Sequence, residues 1–289
     1  MVLTGDAPRT GELMLAKRLL FASLTLLATA TLSNAEDDPW RDIRPAVFSS
    51  REILEGDGAV AIYGPEQAED AALVPISMRL PNQVANSARA LTLIVDRNPA
   101  PVAATFRFGD AYRAGSDIGE RKLETRIRVD SFSNVRAILE TADGKLHMAK
   151  IFVRGAGGCS APASKDADEA LANLGKMQVK SLANQTFGPN WRDGLVMIRH
   201  PNFTGMQMDP DTRGYTPARF VDKLEVRRGS DPSATGTDDL ILSMEGGISI
   251  SENPSLRFNY DAAGDEALFV RASDTQGTSF SGRSQPSGS

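Results

Sequence analysis

Residues 133–153 read SNVRAILETADGKLHMAKIFV, and this stretch decides the fold class. Two runs rich in apolar and β-branched residues, 135–141 and 146–153, flank Asp143-Gly144. Asp-Gly between such runs predicts a tight type I′ hairpin, because both central residues of that turn need positive φ. Working outward, residues 73–80 alternate, with Val74, Ile76, Met78 and Leu80 on one face and Pro75, Ser77 and Arg79 on the other. Leu123, Thr125, Ile127 and Val129 alternate with Glu124, Arg126 and Arg128, and Ala104, Phe106 and Phe108 with Thr105 and Arg107. This period of two is that of a half-buried strand. Residues 90–95 are more continuously apolar, as for a central strand. Roughly seven short strands separated by turns predict a β-sandwich. Upstream, Asp38-Pro39-Trp40 reads as a helix start, and Pro45 is expected to cut that helix short.

Downstream the composition changes. Residues 155–164, GAGGCSAPAS, contain no large apolar side chain. Such a stretch is expected to be an exposed, flexible arm, with Gly155, Gly157 and Gly158 supplying the freedom. Asp166 with Glu169 has the form of a capping box, and Leu171, Leu174 and Met177 follow at helical spacing, so a short helix is expected to end near Lys180. Strand candidates then recur at 195–199, 219–227, 239–244, 247–251, 256–260 and 266–272, with turns at Asn253-Pro254, Ala263-Gly264 and Gln276-Gly277. The expected organisation is a signal peptide over 1–35, a first sandwich over 36–159 ending in the arm, a linker over 160–190, a second sandwich over 191–284 and a disordered tail over 285–289.

Hydrophobic residues make up 41 % and charged residues 24 %, enough apolar matter to bury a sizeable core. A net charge of −5 leaves no basic footprint, which argues against nucleic acid as a partner. Lys17-Arg18, the apolar run 19–32 and Ser33-Asn34-Ala35 have the layout of a cleavable export signal, with Met14 as the expected start. The run is short for a membrane span, and acidic residues follow at once. The expectation is a periplasmic protein free of the membrane after cleavage; the alternative is a retained anchor. The pair Lys17-Arg18 is not a twin arginine, so export of an unfolded chain is favoured.

The chain has two histidines and one cysteine, which excludes an internal disulfide and leaves little room for histidine catalysis. Cys159 follows two glycines and precedes Ser-Ala-Pro, so nothing local buries it. From Gly155 to Cys159 the arm spans about 16–18 Å when extended, enough to enter a partner's pocket. The readings are an exposed carrier thiol with an unperturbed pKa, a catalytic nucleophile or an incidental cysteine. A nucleophile would be held rigidly beside a base, and none is visible nearby. His200 before Pro201 reads as a structural hydrogen-bonding residue and His147 as a half-buried strand residue. The run 209–214 fails as a calcium loop because Arg213 and Phe220 stand where carboxylate-type ligands are needed. Met197, Met206, Met208 and Met244 read as packing residues rather than copper ligands.

The stretch from Trp40 to Cys159 resembles SoxY, the sulfur-carrier subunit of the bacterial thiosulfate-oxidising system. The likeness rests on Leu93-Ile94-Val95-Asp96-Arg97-Asn98-Pro99, Ala103-Ala104-Thr105-Phe106, Ser133-Asn134-Val135-Arg136-Ala137, Asp143-Gly144-Lys145-Leu146 and the Gly-Gly-Cys arm. The stretch from Leu195 to Ser281 resembles SoxZ through Ile198-Arg199-His200-Pro201, Thr204-Gly205, Pro217-Ala218-Arg219-Phe220-Val221 and Ser249-Ile250-Ser251-Glu252-Asn253-Pro254. The order is that of a fused SoxYZ-like carrier associated with quinoprotein dehydrogenases. The resemblance implies two paired Ig-like, all-β domains, no enzyme activity, no cofactor or metal, and covalent attachment of sulfur intermediates at Cys159. It implies partners among periplasmic sulfur-oxidising or quinoprotein dehydrogenase-system proteins. Two departures stand out. The family's arm ends its chain, whereas here Ser160-Ala161-Pro162 follows, and Arg219 stands where the pattern carries histidine. The alternative function is an accessory binding or assembly module for a quinoprotein (PQQ) dehydrogenase, with a different cargo or none.

Overall fold

The computed structural model describes residues 1, 2, 5, 38–113, 119–162, 171–184, 186, 187, 190–209, 212–229, 239–262 and 267–285. The export signal, Asp166, Glu169, Ala263-Gly264 and the end of the tail lie outside them. Among the described residues no helix is long and apolar enough to cross a membrane.

From Trp40 onward the chain is a two-layer β structure. The first half supplies β1 (Ile53–Glu55), β2 (Ala61–Tyr63), β3 (Val74–Leu80), β4 (Ala88–Val95), β5 (Val102–Phe108), β6 (Arg121–Ile127), β7 (Ser133–Thr141) and β8 (Leu146–Val153). The second supplies β9 (Met177–Ala183), β10 (Trp191–Ile198), β11 (Val221–Gly229), β12 (Leu240–Gly246), β13 (Ser255–Asp261), β14 (Ala267–Asp274) and β15 (Ser279–Arg283). Helices are short: α1 (Trp40–Phe48), α2 (Asn82–Ala85) and α3 (Asp110–Arg113).

The all-β, Ig-like class holds, but the halves are not separate sandwiches that touch. Their sheets run into each other. One sheet has nine strands in the order β1-β8-β7-β4-β5-β12-β11-β14-β15, and the facing sheet six, β2-β3-β6-β13-β10-β9. Both cross from the first half to the second, at β5–β12 and β6–β13. Met244 lies opposite Phe106 and Leu242 opposite Phe108 in one ladder, and Phe258 opposite Leu123 in the other. An unpaired strand edge leaves backbone donors and acceptors for another chain to find. Here each half covers an edge of the other, and one apolar core continues through the seam, including Phe106, Tyr112, Leu123, Ile241, Leu242 and Phe258. Arg121 adds to the join. Its guanidinium lies 4.3 Å from the Trp191 ring and its Nε donates to the Tyr112 carbonyl at 2.6 Å.

Several expectations are corrected. Helix α1 passes through Pro45 and ends at Phe48, followed by Ser49, whose φ of 55° is left-handed and whose N–H donates to the Pro45 carbonyl. The helix is held by packing Ile43 and Phe48 on Ile94, Ile138, Leu146 and Met148, which outweighs the one hydrogen bond a proline cannot make. Trp40 covers the Arg136 guanidinium at 4.2 Å, and Arg136 is paired in turn with buried Asp96 at 2.7 Å. The β7–β8 turn is not type I′. Ala142 enlarges it to a three-residue loop in which the Gly144 N–H donates to the Thr141 carbonyl and only Gly144 has positive φ. The helix expected up to Lys180 gives way to strand β9, which pairs along β10, so the second half begins before residue 191. Residues 247–251 form a turn with one bridge, Ile127 to Ile250, instead of a strand. Strand β15 joins β14 through the Gln276-Gly277 turn and escaped the sequence reading.

Cleavage at a protease site inserted between Ser164 and Glu169 is therefore expected to leave both fragments together in size-exclusion chromatography. Separation at micromolar concentration would contradict a shared sheet.

Candidate functional site

After β8 the chain runs beside residues 66–68: the Arg154 N–H donates to the Glu66 carbonyl and the Ala68 N–H to the Arg154 carbonyl. It then turns onto the segment that follows β6. The Gly157 N–H donates to the Asp130 carbonyl at 2.9 Å, and the Gly158 N–H to the Val129 carbonyl at 3.1 Å. The Ala161 N–H closes on the Gly157 carbonyl at 3.0 Å. The turn needs its glycines for shape. Gly157 sits at a φ of 72°, and a Cβ on Gly158 would lie 2.1 Å from the Ala71 carbonyl oxygen.

The thiol-bearing residue is therefore docked, not displayed. Cys159 is 0 % exposed. Its N–H donates to Asp130 Oδ1 at 3.1 Å, and its carbonyl accepts from the Thr204 hydroxyl at 2.7 Å. The arm expected to be mobile around Gly155, Gly157 and Gly158 is a hydrogen-bonded turn in the cleft between the halves. Local composition misled because the cover comes from elsewhere in the chain.

Arg128 lies under this turn. It is fully buried, and its two Nη atoms donate to the Gly158 carbonyl at 3.0 Å and to the Asn202 carbonyl at 3.5 Å, so one guanidinium ties the arm to the second half. Burial pulls its pKa below the usual arginine value, while Glu252, Cys159 and Asp70 oppose that. Asn98 fixes the segment carrying Arg128 and Asp130: its amide donates to the Arg128 carbonyl at 2.8 Å, and its Oδ1 accepts from the Asp130 N–H at 2.9 Å. On the other side Asn202, at a φ of 45°, donates to the Ile250 and Ser251 carbonyls and accepts from the Val221 N–H. The loop that carries Thr204 is thereby anchored to the second half's strands.

Period-two alternation sets Arg128 with Glu124 and Arg126, but it lies just past the end of β6 and, unlike them, is fully buried. Asp130, Asn202, Thr204 and Gln207 carried no local signal. His200 behaves as the sequence suggested. It is buried, and its Nδ1 accepts from the Asn202 N–H at 3.0 Å. Its Nε2 faces Asp274 at 3.5 Å, and Asp274 also pairs with Arg219 at 2.8 Å, so Arg219 serves a structural ion pair. His147 is paired with Asp57. Among the described residues no three His, Cys, Asp or Glu side chains converge as a metal site would require.

The expected ordinary thiol pKa is corrected too. Burial pushes the Cys159 pKa up to about 12; the Asp130 carboxylate raises it further and Arg128 offsets part. A thiol nucleophile is the thiolate, so the docked form is unreactive. The docked turn prefers the protonated thiol. Its stability is complete below the ordinary thiol pKa of about 8.5 and is lost as pH rises from there toward about 12. Alkylation of the native protein is expected to be slow near neutrality and to keep rising with pH above about 9, where a free thiol levels off. A plateau near the ordinary thiol pKa would contradict the docked state.

Residues 44–159 match the family described as sulfur oxidation protein SoxY, and residues 191–285 the family described as sulphur oxidation protein SoxZ. Among solved structures, the sulfur carrier protein SoxY from Chlorobium limicola f thiosulfatophilum is 26 % identical over 40 % of this chain and 94 % of its own, with a TM-score of 0.31. A β-glucuronidase from Parabacteroides merdae is 12 % identical over 79 % of this chain and 24 % of its own, with a TM-score of 0.22. No curated protein matches the chain.

Proposed function

The chain belongs to the SoxY and SoxZ families, joined in one polypeptide, and from that premise we propose that it holds sulfur cargo covalently on Cys159 and presents it to separate enzymes. The sulfur-oxidation carrier role follows from the two families. The covalent attachment rests on one observation: the SoxY match ends on Cys159, the only cysteine in the chain, within Gly-Gly-Cys.

The docked turn suits a carrier once it opens locally. Its hold on the protein consists of a few hydrogen bonds and one small side chain, so release leaves the two sheets intact. Undocking returns the thiol to an ordinary pKa, and the thiolate becomes available. Joining the bare thiol to the terminal, sulfide-level sulfur of thiosulfate forms an S–S bond with loss of one proton and two electrons, which an electron-accepting partner must take. Unloading by thiolate exchange breaks that bond without further oxidation. Between those events the carrier needs no base of its own, so the partners supply the chemistry.

Tethering at both ends shortens the arm's reach. Pro162 stiffens the far side, and the chain must return to β9. The partner pockets served by this arm must therefore admit a loop instead of a free chain end. The reading includes export, carried by Lys17-Arg18, residues 19–32 and Ser33-Asn34-Ala35. N-terminal sequencing of the mature protein is expected to start at or near Glu36; a chain retaining residues 19–32 would count against it.

A strain carrying Cys159→Ser as its sole change is expected to lose sulfur-compound oxidation while making normal amounts of folded protein. Oxidation at the wild-type rate would remove the covalent role and leave a binding or assembly module for another periplasmic enzyme.

A further inference from the structure

We propose that Thr204 is a positioning residue that sets how often the Cys159 turn opens, so that the second half controls access to a thiol carried by the first. The inference deepens the carrier reading and rests on it for its purpose, while the geometry of the latch stands apart from any cargo.

Among the described residues, three side chains bond the backbone of residues 158 and 159: Arg128, Asp130 and Thr204. The first two lie on the segment after β6, in the same half as the arm. Among the described residues, Thr204 alone makes such a bond from the second half.

The surroundings of Thr204 fix what its hydroxyl does. Its own N–H donates to Gln207 Oε1 at 2.8 Å, and the Met206 N–H donates to its Oγ1 at 3.1 Å. The oxygen is thus already an acceptor, and the single hydroxyl proton remains to be given. Two acceptors compete for it, the Cys159 carbonyl at 2.7 Å and Gln207 Oε1 at 2.8 Å. Thr204 and Gln207 are both buried.

A buried hydroxyl without an acceptor carries a desolvation cost that would hold the turn shut. Gln207 removes that cost. When the turn leaves, the proton swings to Gln207 Oε1, while the Cys159 carbonyl meets water. When the turn returns, the proton swings back. The closed and open states each satisfy the hydroxyl, which makes the latch reversible and leaves Thr204's share of the cost of opening at about one ordinary hydrogen bond.

The test is alkylation of Cys159 by iodoacetamide in the full-length protein at fixed pH, normalised to the denatured rate. Labelling of a buried group reports the population of the open form. Thr204→Val keeps the shape and removes the donor, and is expected to label about fivefold faster, equivalent to about 1 kcal/mol. Thr204→Ser keeps the donor and is expected to label at the wild-type rate with unchanged thermal unfolding. If the valine variant does not fold, Thr204→Ala serves in its place with the same expected increase. Wild-type labelling in a folded valine or alanine variant, or equal acceleration by serine, would overturn the latch. Because the readout uses a small reagent and no cargo, its failure leaves the carrier test untouched, and failure of the carrier test leaves the latch standing.

Discussion

Backbone pairing across the seam is the constraint on which the rest of the structure depends. Strands β5 and β12 pair in one sheet and β6 and β13 in the other, so neither half has a complete set of hydrogen bonds without its neighbour. The pairing places the segment after β6 beneath the second half's loop at residues 199–208. There Arg128 is buried and bonds both the Gly158 carbonyl of the Cys159 turn and the Asn202 carbonyl of that loop. Loss of the seam would therefore remove the thiol's cover along with the fold's continuity. Fusion into one chain keeps the two edges at high effective concentration.

Much of the fold was legible because strand burial follows local alternation. Residues 73–80 show it best: Val74, Ile76, Met78 and Leu80 are all buried in β3. Short or ambiguous segments were less legible. Met177 and Val179 pack on the core from β9, but Leu171, Leu174 and Met177 also fit helical spacing, and strand pairing with β10 decided between them. Strand β15 has one large apolar residue, Phe280, among serines, so its pairing with β14 had no sequence pattern to announce it.

The candidate residue could be picked out in the sequence, but its docked state could not. The sole cysteine after two glycines pointed to Cys159 directly. Its concealment depends on Ala71, Asp130 and Thr204, which lie far away in sequence. Gly158 had a second meaning as well. It reads as freedom in the sequence, yet in the folded protein it permits close approach to the Ala71 backbone. The same glycines thus allow a tight closed turn and an extended open one. A thiol that is protonated and covered is protected from stray oxidation and disulfide formation, and under the proposed carrier role it would accept sulfur only after the turn leaves its docked position.

The central claim is that Cys159 bears sulfur cargo, and intact-mass analysis of protein purified from its own host under non-reducing conditions tests it most directly. The account predicts a population heavier by one or more sulfur-containing groups, mapped to Cys159 by peptide analysis and removed by a thiol reductant. A uniformly bare thiol in cells actively oxidising sulfur compounds would contradict it.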